Sequence, residues 1–289
     1  MLNGRKRIAF VTHAGLPGLA ADDLLAVAEL SRMGAEVEPV VWDDPGVLWS
    51  GFDSVVLRSC WDYHLKTSSF LDWLARMERE GTPLWNPAPV VRPNVDKGYL
   101  GDLAAAGVPV VPTILVEKER EADLAAILEE QGWDEAVIKP AVSGGAFRTW
   151  RTSREKAPAE RSAFEELLSG SRALIQPFLP EIQTRGEWSF IFLGGEYSHA
   201  VLKRPREGEF RVQEHLGGST RAAVPNSTLI EQARAVTEKI PAPWLYARVD
   251  GVETDEGFLL MELELTEPSL FLESDREAPA RFAAAILAR

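Results

Sequence analysis

Several features that mark large protein classes are missing from this 289-residue chain. Its single cysteine, Cys60, excludes an internal disulfide and fits a reducing compartment, and its four histidines show no zinc-type spacing. No apolar run approaches the roughly 18 residues of a membrane span. The run 8–11 near the start is too short for the core of a signal peptide. We therefore expect a soluble, cytoplasmic protein with no membrane partner.

The chain also lacks an excess of positive charge. Its 44 Asp and Glu outnumber its 31 Lys and Arg, which gives a formal net charge of −13. Nucleic-acid binding needs clustered Lys and Arg, and the basic stretch 203–206 is too short to supply them. The Gly-Lys-Ser/Thr and Gly-x-Gly-x-x-Gly nucleotide fingerprints are absent as well. No nucleic-acid partner is expected.

What the chain does contain is a pair of alternating segments near its end, 245–250 and 259–264. Side chains along a strand alternate between its faces, so a hairpin of these segments has one apolar face and one charged face. In any even register the charged face gathers Arg248, Asp250, Glu262 and Glu264. Crowded carboxylates repel unless something neutralises them, and a hard cation such as Mg²⁺, which usually brings phosphate, would do so. An ordinary antiparallel sheet with one solvated face remains the alternative.

The first third of the chain alternates strand and helix patterns. Strands are predicted at 7–12, 36–41 and 53–58, and helices at 22–33, capped by Asp22, and at 67–79. This β-α-β alternation predicts an α/β fold with a parallel sheet covered on both faces. Ligands of such sheets bind beyond the carboxyl ends of the strands.

The segment after the third strand has the composition of a ligand site. Arg58, Trp61, Asp62 and Tyr63 combine a cation, an acid and two aromatic rings, which suits a small polar ligand. A loop that is merely held together by an Arg58–Asp62 pair is the open alternative.

The pattern changes near residue 112. Asn94 is predicted to cap a helix ending at Gly107, and 109–116 is predicted to be extended. Strands are then predicted at 136–142, 173–178, 187–192 and 197–202, and helices at 229–239 and 277–287. We therefore expect two domains, an α/β domain at 1–112 and an α+β domain at 113–289.

Lys139 ends one of these strands and is followed by the loop 143–146 (Ser-Gly-Gly-Ala). A lysine before a flexible glycine loop lets the backbone close over phosphates while the ammonium contacts them. A simple hairpin turn is the alternative reading of the same loop.

These signals follow one another in an order that resembles the ATP-grasp superfamily, in particular glutathione synthetase and the ribosomal protein S6 modification ligases. The ordered set is Lys97, Lys139 with its glycine loop, the segment 174–181, Glu187, Lys203, Arg211 and the charged hairpin. The segments 58–63, 94–97 and 262–272 resemble a subgroup that includes the D-cycloserine-forming ligase. The resemblance implies a pre-ATP-grasp domain followed by an ATP-grasp domain with a small lid subdomain at about 113–182.

The resemblance also implies roles for residues at matching positions. Lys97 and Lys139 would hold the phosphates of ATP, with the loop of Ser143, Gly144 and Gly145 above them. The further nucleotide contacts would be Gln176, Phe178, Leu179, Glu187 and Lys203. Arg211 and Arg248, together with Lys139, would be the catalytic residues, because they match groups that stabilise the transferring phosphoryl group.

Asp250, Glu262 and Glu264 match the ligands of Mg²⁺, which Mn²⁺ could replace. Glu264 departs from the family pattern, in which the last ligand is asparagine, and so adds a negative charge. Specificity is expected outside the nucleotide site, at Arg58, Trp61, Asp62 and Tyr63 on one side of a cleft and Arg211, Glu267 and Ser269 on the other.

The implied activity is that of an ATP-dependent carboxylate–amine ligase. It would activate a small amino-acid-like substrate as an acyl phosphate and release ADP and phosphate. The partners would be a small carboxylate and an amine, and the chain could form a homodimer. An intramolecular cyclo-ligase, a small-molecule kinase and a regulatory nucleotide-binding module remain open.

Overall fold

A computed structural model describes residues 5–241 and 243–289. The first sheet is parallel, in the order β2-β1-β3-β4, and consists of β1 (Arg7–Thr12), β2 (Glu36–Val41), β3 (Ser54–Ser59) and β4 (Leu84–Trp85). Helices α1 (Ala21–Arg32) and α2 (Thr67–Arg79) connect its strands. The predicted parallel sheet is confirmed, because β1 is buried on both faces along Ile8–Val11.

Two short helices, α3 (Ala88–Asn94) and α4 (Tyr99–Ala105), lead to a second, antiparallel sheet. Its order is β5-β8-β6-β7, and its members are β5 (Ile114–Val116), β6 (Glu135–Pro140), β7 (Trp150–Ser153) and β8 (Ala173–Pro177), with helices α5 (Leu124–Gln131) and α6 (Arg161–Gly170). Asp123 caps α5 by accepting hydrogen bonds from the N–H groups of Ala125 and Ala126.

The third sheet has five antiparallel strands in the order β11-β10-β9-β12-β13. The elements of this part are α7 (Glu181–Thr184), β9 (Glu187–Leu193), β10 (Glu196–Arg204), β11 (Ser219–Ala222), α8 (Ser227–Thr237), β12 (Tyr246–Thr254), β13 (Gly257–Glu264) and α9 (Ala278–Leu287). The chain returns to the first sheet at its end, because α9 packs on α1 and Phe282 joins Ile8, Phe10 and Tyr246 in one core cluster.

The hairpin β12–β13 has the predicted even register. Arg248 pairs with Glu264 and Asp250 pairs with Glu262, which places all four charged side chains on one face. A β-bulge follows Asp250, so the register shifts at Gly251. The hairpin prediction is confirmed.

Two local predictions are wrong. Asp22 does not cap α1, whose N-cap is Ala20, because the Asp22 carboxylate instead accepts the N–H groups of Leu272 and Glu273. Asn94 ends a helix instead of starting one. Within the stretch 109–116, which was predicted to be extended, Val111 donates a backbone hydrogen bond to Leu260 at the edge of the third sheet, and a strand follows at Ile114–Val116.

No helix among the described residues is long and apolar enough to cross a bilayer.

Candidate active site

A cleft of about 740 Å³ lies where the three sheets meet. Every predicted site residue except Arg58, Asp62 and Phe178 lines it. The hairpin β12–β13 forms the floor, the second sheet and the glycine loop form one wall, and the loop after β3 forms the other. The topology therefore brings together residues that are up to about two hundred positions apart in the chain.

The floor carries a network of paired charges. The Arg248 guanidinium lies 2.8 Å from an Asp250 oxygen and 2.5 Å from a Glu264 oxygen. Asp250 also accepts a hydrogen bond from the Ser189 hydroxyl at 2.5 Å, and the Lys203 ammonium lies 3.4 Å away. The predicted crowding of carboxylates is therefore balanced within the chain by cations.

The same balance extends along the cleft. Lys203 pairs with Glu187 at 2.5 Å, and Lys97 pairs with Glu262 at 3.1 Å. Lys97 also donates to the carbonyl of Ser143 at 2.7 Å, so one ammonium joins the floor to the glycine loop. The two lysines thus lie where an anionic ligand would meet them.

Burial and neighbouring charges shift the titration of these groups in opposite directions. Burial raises the pKa of Glu264 to about 7, against the attraction of Arg248. Burial opposes the ionisation of Glu262, but the charges of Lys97 and Lys139 lower its pKa overall. Burial also lowers the pKa of Lys139, whose side chain is half-buried in the wall of the cleft.

Glu267, at the substrate end, is the strongest case. Burial, and next the negative charge of Glu264, raise the pKa of its carboxyl to about 8. At pH 7 the side chain is therefore mostly a neutral acid that can donate a hydrogen bond.

The donor set of the floor is suited to a hard divalent cation, because it consists of carboxylate oxygens. Within residues 5–241 and 243–289, however, no three His, Cys, Asp or Glu side chains are grouped as a ready metal cage. Asp250, Glu262 and Glu264 are each held by a cation instead. A metal that binds these carboxylates would compete with Lys97 and Arg248 for the oxygens that these cations contact.

The glycine loop is shaped by left-handed backbone. Gly145 has φ +58° and Ala146 has φ +62°, a conformation that glycine adopts freely and alanine rarely. Ser143 donates to the carbonyl of Pro140 at 3.2 Å, which fixes the start of the loop. The loop lies against His64, since a Cβ placed on Gly144 would be 3.5 Å from the His64 ring.

An apolar slot adjoins the charged floor. Leu179, Ile182, Val212 and Met261 pack together there and line the cleft. Of these, only Leu179 was predicted. The others escape prediction because they come from separate elements and have no motif of their own. Gln176, also predicted, is buried beside the slot and donates to the Thr113 hydroxyl at 2.9 Å.

Phe178 does not line the cleft. Its ring lies 3.6 Å from the guanidinium carbon of Arg151 in a separate surface depression, and its N–H donates to the carbonyl of Glu135. Phe178 lies just beyond the end of β8, and its neighbours Pro177 and Leu179 both line the cleft.

Arg58 and Asp62 are also placed differently from the prediction. Arg58 is 1% exposed, donates to Asp23 at 2.7 Å and donates to the carbonyl of Pro268 at 2.8 Å. Asp62 accepts hydrogen bonds from Trp42 and Lys66, each at 2.8 Å. The alternative of an Arg58–Asp62 pair is wrong as well, because Arg58 forms its ion pair with Asp23 on α1. No local sequence pattern connects these two residues.

Arg58 belongs to a wider arrangement that holds the segment 266–271, which we call the clamped segment. Its backbone carbonyls all accept side-chain hydrogen bonds: Thr266 from Tyr246, Glu267 from Trp61, Pro268 from Arg58, Ser269 from Arg248, and both Leu270 and Phe271 from His199, whose ring nitrogen lies within 3.1 Å of each. Glu267, Ser269 and Phe271 line the cleft. The substrate wall is therefore fixed by donors from both parts of the chain.

Two more groups complete the rim. Arg211 pairs with Glu209 at 2.8 Å, and this hydrogen bond lowers the pKa of Glu209 to about 2. His64 lines the cleft beside Trp61 and Tyr63, and no sequence signal singled it out.

Comparisons with known proteins show which family the chain resembles. Residues 8–86 match the family described as D-cycloserine synthetase DcsG, N-terminal domain. The cycloserine biosynthesis protein DcsG of Streptomyces lavendulae is 33% identical over 281 residues, covering 92% of this chain and 93% of that protein.

Solved structures give the same result. The crystal structure of D-cycloserine synthetase DcsG matches with a TM-score of 0.84 and 30% identity over 98% of this chain and 99% of that one. The RimK domain ATP-grasp protein of Sphaerobacter thermophilus matches with a TM-score of 0.71 and 18% identity over 97% and 99%, which shows the fold alone. The chain therefore belongs to the ATP-grasp ligase family, the ADP-forming ligases that make carbon–nitrogen bonds, as its sequence resemblance predicts.

Proposed function

We propose that this ligase activates the carboxylate of a small amino-acid-like substrate with ATP and joins the acyl carbon to a nitrogen. The observation that carries the proposal is the floor of the cleft, where Lys97, Lys203 and Arg248 pair with Glu262, Glu187 and Asp250. Phosphoryl transfer depends on positioning and charge neutralisation, which is what paired charges of both signs can supply. The reaction would take place in the cytoplasm.

The nucleotide would occupy the side of the cleft that adjoins the second sheet. Its base would enter the apolar slot at Leu179, Ile182 and Met261. Lys97 and Lys139 would turn to its phosphates, and the loop of Ser143, Gly144 and Gly145 would lie over them. These positions support a triphosphate better than a single phosphate, because the cations extend along the floor.

Asp250, Glu262 and Glu264 would hold Mg²⁺. When bound, Mg²⁺ supplies charge neutralisation on the phosphate oxygens. The release of Lys97 and Arg248 from their carboxylate partners would then free both cations for the phosphates.

The reaction balances in two displacements. A substrate carboxylate oxygen attacks the γ-phosphorus, the bond from phosphorus to the bridging oxygen breaks, and ADP leaves. A nitrogen then attacks the acyl carbon, the carbon–oxygen bond to phosphate breaks, and the nitrogen loses a proton. Arg211 and Arg248 would stabilise the charge that develops on the transferred group. The closed glycine loop would keep water from the acyl phosphate.

The substrate would lie against Trp61, Tyr63, Glu267 and Ser269. A mostly neutral Glu267 can donate to a carbonyl or carboxylate oxygen, while its ionised form would attract an ammonium. The clamped segment keeps this wall in one shape.

Ring closure within a single substrate is the second candidate. It is supported by the similarity to D-cycloserine synthetase over nearly the whole chain. In that reaction one molecule supplies both the carboxylate and the nitrogen, as O-amino-D-serine, the ring-opened form of D-cycloserine, would do.

Phosphate release would test the proposal. We would measure it with Mg²⁺-ATP across D- and L-amino acids singly and in pairs, and with O-amino-D-serine alone, using Glu262→Gln as the inactive control. Release that needs a pair indicates intermolecular ligation, and release with one compound whose product has lost water indicates ring closure. ADP formed with one compound without free phosphate indicates a kinase, which a product heavier by one phosphoryl group would confirm. No release with any compound, together with no binding of Mg²⁺-ATP by calorimetry, would contradict the proposal.

A further inference from the structure

His64 occupies the place where the first domain meets the glycine loop. Its ring centroid is 5.3 Å from that of Phe147, just beyond the loop, and a Cβ on Gly144 would be 3.5 Å from its Nδ1. The ring also lines the cleft. His64 therefore lies under the loop that would cover the acyl phosphate.

The tautomer of His64 is fixed by one contact. Nδ1 lies 2.8 Å from the carbonyl oxygen of Trp61. A carbonyl can only accept, so Nδ1 carries the hydrogen and Nε2 of the neutral ring carries a lone pair. Within the described residues Nε2 has no hydrogen-bond partner. The ring thus offers one free basic nitrogen.

The surroundings keep this ring neutral. Burial, and the positive charge of Lys97, lower the pKa of His64, while the Trp61 carbonyl and the charge of Asp62 act in the opposite direction. The charged groups that face His64 are Lys97, from the turn between α3 and α4, and Asp62, from the loop that carries His64 itself. A neutral imidazole is able to accept a proton at pH 7.

Other acceptors in the cleft are already engaged. Asp250, Glu262 and Glu264 are in ion pairs, and Glu187 pairs with Lys203. Glu267 already holds its proton below about pH 8. His215, on the other side of the glycine loop, is exposed.

We propose that His64 Nε2 is the base that accepts the proton lost by the attacking nitrogen. This inference rests on the proposed function. As the nitrogen bonds to the acyl carbon and phosphate departs with the carbon–oxygen electron pair, one N–H proton moves to Nε2 and gives a transient imidazolium. His64 is thus assigned a catalytic role in the second displacement and none in the first.

Separating the two displacements would test the assignment. Hydroxylamine, which is largely unprotonated at pH 7, intercepts an acyl phosphate without a protein base and gives a hydroxamate. We would compare wild type and His64→Asn for hydroxamate, for ADP, and for the carbon–nitrogen product of the compound or pair that releases phosphate in the panel above. Asparagine keeps a donor for the Trp61 carbonyl but cannot act as a base. Without hydroxylamine the product rate should fall about 100-fold or more, while with hydroxylamine present hydroxamate and ADP should form at rates close to wild type.

His13→Asn is the matched control, because His13 Nδ1 also contacts a carbonyl, that of Ser59 at 2.9 Å, and His13 does not line the cleft. It should behave as wild type. A second variant, His64→Ala, should regain product formation with added imidazole and far less with 1,2,4-triazole, which has the same shape but is a weaker base.

Three results would overturn the assignment: unchanged product formation in His64→Asn, an equal loss of hydroxamate and product, or equal rescue by imidazole and triazole. Failure of the proposed function would be distinct, since wild type itself would then form no hydroxamate.

Discussion

Glu264 illustrates how the charge of one side chain depends on its neighbours. It stands where the family resemblance leads us to expect asparagine, and burial raises its pKa to about 7. Near neutral pH the residue is therefore shared between a carboxylate paired with Arg248 and a neutral acid. The extra negative charge is tolerated because the chain can remove it by protonation.

This shift predicts a pH-dependent stability difference. A carboxyl with a raised folded pKa holds its proton more tightly in the folded state, so its contribution to stability is lost as pH rises from about 4.5 to about 7. Relative to wild type, Glu264→Gln should gain about 1–2 kcal/mol between pH 5 and pH 8, after discounting for partial exposure. Urea unfolding at the two pH values measures this. Glu262→Gln, which removes a carboxyl with a lowered pKa, should show no such trend over this interval, because the contribution of such a group changes with pH only below about 4.5.

We expect Lys139 to lower the stability of the ligand-free protein while it contributes to the binding of Mg²⁺-ATP. Burial lowers its pKa, so the charged ammonium is disfavoured in the ligand-free fold. Lys139→Met should raise the free energy of unfolding by about 1 kcal/mol and abolish the stabilisation that Mg²⁺-ATP gives. Thermal unfolding with and without nucleotide measures both effects. Lys118→Met, at a half-exposed lysine outside the cleft, should change neither.

Single residues were predictable from sequence where a local pattern pointed to them. Lys139 precedes its glycine loop directly, and Asp250 and Glu262 follow from strand alternation. Arg58 was misplaced, because its partner Asp23 lies 35 positions earlier on α1. His64 was missed, because its neighbours Phe147 and Gly144 lie on a distant loop.

At the scale of elements, the bulge in the β12–β13 hairpin sets the position of Asp250. Gly251 follows it, and a Cβ there would lie 2.4 Å from the carbonyl oxygen of Leu259 and 2.4 Å from the Phe258 ring. No side chain fits at this point of the hairpin.

Gly251→Ala should therefore force the two strands apart beside Asp250. We expect a loss of about 1–3 kcal/mol in the free energy of unfolding and weaker binding of Mg²⁺-ATP. Gly101→Ala is the matched control, because Gly101 lies within α4 with nothing near its missing Cβ. It should stabilise the protein by about 0.5–1 kcal/mol and leave nucleotide binding unchanged. Loss of stability in both variants, or in neither, would contradict the steric argument.

Helix α3 shows why some elements were missed. It contains Pro89 near its start and Pro93 near its end, and prolines normally argue against a helix. Tertiary contacts hold the end of this helix in place. Asn94 donates to the carbonyl of Leu263 on β13 and accepts the N–H of Leu265 just beyond that strand. The longer strands, which have clear period-2 or continuous apolar patterns, were predicted within a few residues, whereas the short strands β4, β7 and β11 were not predicted.

At the scale of the whole molecule, the clamped segment connects the first sheet to the third sheet. Arg58, buried with Asp23, reaches across to Pro268. The α/β class with its parallel and antiparallel sheets was predictable from the order of patterns, and the match to DcsG bears it out. The domain boundary at residue 112 and a homodimer stay predictions.

We expect loss of the Arg58 contacts to change the KM of the carboxylate substrate more than the KM of ATP. Arg58→Leu leaves the Asp23 carboxylate buried and unpaired and should cost about 3–5 kcal/mol. The double variant Asp23→Leu, Arg58→Leu should recover much of that loss. Because both variants loosen the clamped segment, the KM of the carboxylate substrate should rise while that of ATP changes little. Steady-state kinetics would decide, and an equal rise in both constants would contradict a role confined to the substrate wall.

The charged floor of the cleft carries its own counter-ions. Lys97, Lys203 and Arg248 already have carboxylate partners before any ligand arrives. ATP binding is then an exchange of partners inside the protein, with little release of ions from bulk solution. A bare basic patch loses affinity steeply as salt rises, whereas the affinity of this ligase for Mg²⁺-ATP should fall only slightly from low to high KCl. An acidic chain can in this way bind a polyanion without recruiting it through its overall charge.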